Sequence, residues 1–169
     1  MLWKVNDDHA SDCLDSLAEE FGISEILSKL LALRGIKNKE EAESFLKPSL
    51  KSLSDPFEVS YLKEGVEYLS QAIDQKASIF IFGDYDVDGT SAVALLAHYL
   101  QRKKLEVISY IPDRYAEGYG LSQQGIDKAV SERVKLLFTL DCGIKSVDLI
   151  AYANQKGIDV IVCDHHNPG

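Results

Sequence analysis

The chain has 169 residues, 46% of them apolar and 27% charged, which is the composition of a globular chain of about one domain and excludes a disordered or fibrous one. No apolar run approaches the ~20 residues that span a bilayer, and the opening "MLWKVNDDHA" has no basic stretch followed by an apolar core, so a cytoplasmic protein with no membrane partner is expected. The formal net charge of −9 speaks at first against nucleic acid. Residues 78–169 hold nine Lys/Arg against twelve Asp/Glu, however, and two bound divalent cations would bring them close to neutral.

Residues 1–77 read as helical. "ISEILSKLLAL" puts Ile23, Ile26, Leu27, Leu30 and Leu31 on one stripe, with Gly35 as its stop. "NKEEAESFL" is a short helix with Asn38 as N-cap and Pro48 beyond its end. "LKPSLKSLSDPF" is a connector, and "YLKEGVEYLSQAI" repeats the stripe through Leu62, Val66, Leu69 and Ile73. After Ala77 the pattern changes. "SIFIFGD", "EVISYIP", "VKLLFTLD" and "IDVIVCD" are short, almost continuously apolar runs, suited to strands buried on both faces of a parallel sheet. Helices are predicted between them over 90–103, 122–132 and 146–156, with Gly157 closing the last. The expected fold is therefore α/β: a doubly wound parallel sheet with helices on both faces over 78–169, preceded by a small helical region over 1–77. Such a sheet usually continues beyond a fourth strand, so a longer protein is expected.

Cys13, Cys142 and Cys163 are odd in number and form no CxxC pair, which predicts reduced thiols acting as small buried apolar side chains. His9 and His98 are read as structural. Arg102, Lys103 and Lys104 read as a solvated helix terminus rather than a DNA patch.

"GDYDVDG", Gly83 to Gly89, carries the most chemistry per residue. Asp84, Asp86, Asp88 and Gly89 match the opening of a calcium-binding EF-hand loop, but that loop needs a bidentate Glu at its twelfth position, where Leu95 stands, and a helix in front, where a strand is predicted. A P-loop would need a lysine that is missing, and "DYDVD" would repel phosphate. A third reading uses the sheet. Ligands bind at the carboxyl ends of parallel strands. Those ends carry Asp84, Asp86 and Asp88, then Asp141, then Asp164, His165 and His166. Carboxylates suit hard divalent ions, and added imidazole shifts the preference from Mg²⁺ toward Mn²⁺ or Zn²⁺. So much like charge is unfavourable without cations, whereas two metal ions ~3.5–4 Å apart would assist an in-line phosphoryl displacement. A single Asp between a strand and a helix is most simply an N-cap; the whole set is better read as a metal site.

Adjacent histidines on an extended chain point to opposite faces, so one of His165 and His166 is expected to bind metal and the other to face substrate. In "IPDRYAEGYGLS", two glycines predict a shaped loop. Arg114 there could grip a phosphate, and Tyr115 and Tyr119 could stack on a base or ribose.

"GDYDVDGTSA", "IPDRYAEGYGLS", "TLDCGI" and "DHHNPG" follow one another at the ends of successive predicted strands. Together they resemble the DHH phosphoesterase superfamily, and "PDRYAEGYGL" resembles in particular its RecJ family of single-strand-specific DNA exonucleases. The resemblance covers 78–169 and extends loosely to "LLALRGIKNKEEAESFLKPSL". It implies Mn²⁺ or Mg²⁺, two ions in a full-length protein, and removal of nucleotides from a 5′ end of single-stranded DNA in repair and recombination. It implies Asp86, Asp88, Asp141 and His165 as metal ligands and Asp84 as a ligand or water-orienting acid. His166 would contact the scissile phosphate, with Arg114 and Tyr119 in the substrate loop. RecJ-type proteins also carry a further metal-binding aspartate, a second domain and nucleic-acid-binding modules, so this N-terminal portion is expected to be folded but weakly active or inactive alone. The competing readings are a DHH phosphodiesterase acting on short oligonucleotides, cyclic dinucleotides or pyrophosphate, and a non-catalytic scaffold of the same fold.

Overall fold

Alternation along the first strand sets the layering. Ile79 and Ile81 enter one buried cluster, Phe80 and Phe82 another, as successive side chains of an extended chain must. All four are wholly buried, each worth ~1.5–3 kcal/mol relative to exposure. The computed structural model describes residues 17–168; His9 and Cys13 lie outside them.

The chain forms two compact units, Met1–Glu58 and Val59–Gly169. In the first, α1 (Glu25–Leu33) is capped by Ser24 and α2 (Lys39–Leu46) by Asn38, whose side chain accepts the Glu41 N–H. Leu17, Leu31, Ile36 and Ala42 form their core. Two short 3₁₀ turns, Leu50–Ser52 and Pro56–Glu58, follow.

The second unit holds α3 (Leu62–Asp74), β1 (Ile79–Gly83), α4 (Val87–Arg102), β2 (Val107–Tyr110), α5 (Gln123–Ser131), β3 (Leu136–Leu140), α6 (Val147–Gln155) and β4 (Asp159–Cys163). The strands form one four-stranded sheet in the order β2-β1-β3-β4, every pair parallel. One face packs on α3 and α4 through Leu69, Ala72, Val93, Ala97 and Leu100. The other packs on α5 and α6 through Ile126, Ala129, Leu149 and Ala153. The doubly wound α/β sheet expected from the sequence is therefore present.

The structure departs from the sequence reading at several points. The helix over Leu62–Asp74 was grouped with the N-terminal helices, but Leu69, Ala72 and Ile73 pack on the sheet. Its stripe required a core without saying which one. Continuous burial holds for central β1 and β3; β2 and β4 are edge strands and only half-buried. Cys142 is buried as expected, whereas Cys163, at the end of an edge strand, is exposed. Among the described residues no helix is long and apolar enough to cross a membrane.

Candidate active site

The ladder register aligns the acidic positions. Gly83 pairs with Leu140, and Leu140 with Cys163; the next residue on each strand is Asp84, Asp141 or Asp164. Three aspartates thus leave the sheet in one row. β1 and β3 lead in opposite directions across the sheet order, so the row crosses the switch point where parallel sheets bind ligands.

Asp84 is wholly buried. Its Oδ1 accepts the Tyr85 N–H at 2.7 Å, while Oδ2 has no hydrogen-bond partner among the described residues. An unpaired buried carboxylate oxygen is costly. Helix α4 starts directly above it because residue 89 is glycine: a Cβ there would lie 2.4 Å from the Asp84 carbonyl oxygen and 2.6 Å from its nitrogen. Asp86 caps α4, its Oδ1 accepting the N–H groups of Asp88 and Gly89 at 3.0 Å. The helix therefore begins at Val87, three residues before the sequence reading placed it, and for Asp86 the N-cap reading is correct as well. Asp88 is exposed in the first turn and shares a cleft with Asp141, Asp164 and His165.

Asp141 has φ 61°, a left-handed conformation rare for a side chain with a Cβ and more often met at functional sites. Its N–H reaches the Cys163 carbonyl at 2.9 Å, carrying the β3–β4 ladder one residue further. Its Oδ1 lies 3.0 Å from His165 Nε2. Burial, followed by the neighbouring Asp86 charge, raises the Asp141 carboxyl above its usual range, and His165 opposes this. Asp141, His165 and His166 each present a ligand atom within 4.8 Å of the others. The two histidine rings lie 4.7 Å apart at 30°, because β4 ends at Cys163 and the following residues are not extended strand. The expectation that the two side chains diverge is therefore corrected.

Asp164 is the anchor of this turn. Its Oδ2 accepts the Ile144 N–H at 3.0 Å, and its Oδ1 accepts the His166 N–H at 3.0 Å and His166 Nδ1 at 2.7 Å. Burial alone would raise its carboxyl; these donors hold it below the usual range. The bond from Asp164 in turn raises His166. With Nδ1–H committed to Asp164, Nε2 of the neutral ring accepts from the Tyr119 hydroxyl at 3.3 Å. Tyr119 also faces Asp84 without completing a hydrogen bond to Oδ2, and that carboxylate, with burial, pushes the phenol up to about 12.

Arg114 lies with its guanidinium 5.2 Å from the Tyr85 ring centre, and Tyr85 meets Tyr119 edge-on at 5.7 Å. Tyr115, by contrast, is 96% exposed. Lys103 sits over Tyr99 of its own helix, as a terminal lysine would, and His98 is exposed. Tyr85 was not singled out from sequence, although it stands inside a quoted motif; Asp164 was placed at its strand end, but its role as the anchor of the turn was not foreseen. The donor set of carboxylate oxygens and imidazole nitrogens, together with the unpaired Asp84 Oδ2, fits a hard or borderline divalent cation.

Residues 78–169 match the family described as "DHH family, N-terminal domain". The chain belongs to the DHH family. It is 37% identical over its whole length to the single-stranded-DNA-specific exonuclease RecJ of Bacillus subtilis, covering 21% of that protein. It is 34% identical over 145 residues to RecJ of Escherichia coli, where 85% of this chain matches 24% of the relative. The chain thus spans roughly a fifth to a quarter of the length of these relatives. Among solved structures, a RecJ exonuclease bound to manganese superposes with a TM-score of 0.59 at 36% identity, over 64% of this chain and 28% of that one. RecJ of Thermus thermophilus in complex with Mn²⁺ superposes with a TM-score of 0.62 at 25% identity, over 95% and 22%. Within this DHH chain the DHH tripeptide is Asp164, His165 and His166, which the geometry divides into one anchor and two converging rings.

Proposed function

We propose that the site hydrolyses phosphodiester bonds with divalent metal ions, acting on single-stranded DNA in the manner of a 5′ to 3′ exonuclease of repair and recombination in the cytoplasm. The observation that carries this reading is the convergence of Asp141, His165 and His166 beside the buried, unpaired Asp84 Oδ2. The names of the similar proteins, single-stranded-DNA-specific exonucleases, support the substrate.

Asp86, Asp88, Asp141 and His165 would hold the metal, manganese or magnesium, as two ions in the longer protein. Bound there, it supplies Lewis-acid stabilisation of phosphoryl charge and an activated water. The chain's own groups do the rest. Asp84 orients the attacking water through Oδ2. Asp164 accepts the Nδ1–H of His166, and the raised proton affinity of that ring lets Nε2–H donate to a phosphate oxygen. Arg114 grips a neighbouring phosphate, and Tyr119 offers a stacking face. Because the chain covers only 21% of the Bacillus subtilis relative, we expect slow turnover from this chain alone.

The test is Mn²⁺-dependent release of nucleotides from a labelled single strand, with His165→Ala as control. Release that stops with EDTA and in the variant supports the reading. Equal cleavage of duplex and single strand, or cleavage indifferent to EDTA, contradicts it.

A further inference from the structure

The loop that carries Arg114 and Tyr119 has no regular structure between β2 and α5, yet one carboxylate ties it together. Glu117 Oε1 accepts the Tyr110 hydroxyl and the Asp113 N–H, both at 2.8 Å. Its Oε2 accepts the Ser122 hydroxyl, and the Ser122 Oγ accepts the Gly125 N–H at 3.0 Å as the N-cap of α5. Tyr110 is itself fixed, stacked 5.5 Å from Phe82 of the core. Asp113 closes the remaining turn by accepting the N–H groups of Tyr115 and Ala116. Glu117 therefore joins the end of β2, the middle of the loop and the start of α5 at a single point.

We propose that Glu117 is a positioning residue for substrate: by clamping Tyr110, Asp113 and Ser122 it holds Arg114 against Tyr85 and Tyr119 against His166, so that a nucleic-acid strand meets a preformed grip. The proposal rests on the hydrolase reading for the identity of the strand, but the order of the loop does not depend on that reading. Burial works against the Glu117 charge, and the three donors outweigh it, so the carboxyl lies below its usual range. Three donors on a charged acceptor make the clamp stronger than an ordinary loop contact. A preformed grip also spares the entropy of ordering the loop on binding.

Trypsin can cut after Arg114, which reports loop order with no metal or DNA present. Under conditions where each variant is folded by circular dichroism, Glu117→Ala should be cut at Arg114 about tenfold faster, since cleavage follows the population of the open form. Glu117→Gln, which keeps an acceptor oxygen for Tyr110 and Asp113, should restore most of the protection. Tyr110→Phe removes one donor and leaves the ring packing, so it should fall between. In parallel, Glu117→Ala should weaken binding of a single-stranded oligonucleotide by about tenfold with Mn²⁺ affinity unchanged. Unchanged cleavage at Arg114 in Glu117→Ala, or unchanged oligonucleotide affinity beside a wild type that binds, overturns the proposal. A wild type that binds no oligonucleotide contradicts the hydrolase reading instead, and the cleavage comparison then decides the clamp.

Discussion

His165 Nε2 stands 3.0 Å from Asp141 Oδ1, although the two residues belong to different strand ends. The contact exists because Leu140 pairs with Cys163, so each chain leaves the sheet at the same level. One residue of slippage between β3 and β4 would separate them and exchange the faces on which the half-buried Val160 and Ile161 pack.

Asp141→Asn tests the charge without the strain. Asparagine tolerates the left-handed conformation, which alanine does not. The variant should lose Mn²⁺ affinity by on the order of 100-fold. Its apoprotein should melt no lower than wild type, because the Asp86–Asp141 repulsion is relieved. Paired calorimetric titration and thermal melts check this; a lower apoprotein melting point would place Asp141 in the stability of the fold instead.

Gly89→Ala should destabilise the chain by about 2–3 kcal/mol, since the new Cβ meets the backbone of Asp84 rather than a flexible side chain. Urea denaturation measures it. A gain near the ~1 kcal/mol by which helix propensity favours alanine would mean that α4 can slide away from β1 without cost.

How much of this was legible in the sequence differs from residue to residue. Asp84, Asp141 and Asp164 were readable as strand ends because apolar runs stop just before them. The start of α4 at Val87 was not, because "DYDVD" looks like loop until Asp86 is seen capping its own helix. The shared orientation of His165 and His166 was missed because the apolar run does not show that the strand stops at Cys163 and that Asp164 then bonds back to His166. Tyr85 was hidden because its partner Arg114 comes from another segment; Glu117 was missed although its partners are near in sequence, because an irregular loop has no fixed period from which to read them.

Glu117 gives a pH signature. Its folded carboxyl lies below the ordinary value of 4.5, so its contribution is present above that value and is lost as pH falls through the lower folded one. Wild type should therefore exceed Glu117→Gln in stability at about pH 7, and the gap should narrow as pH falls below 4.5. Urea midpoints across that range check the sign. A gap that widens on acidification would contradict it.

Arg114→Ala should weaken single-strand binding by about tenfold and reduce the slope of log affinity against log salt by about 0.7, the value for one phosphate contact on a single strand. Arg114→Lys should restore the slope but not the whole affinity, since an ammonium lacks the guanidinium fork. Affinity measured over a salt series separates the two. An unchanged slope in Arg114→Ala would remove Arg114 from the phosphate path.

Whether the strand ends form a metal site is decided by Mn²⁺ titration calorimetry on wild type and His165→Ala. Wild type should bind Mn²⁺ with saturable heat, and the variant should bind at least about tenfold more weakly while remaining folded. Equal binding by the two, or no binding by a folded wild type, would refute the metal site.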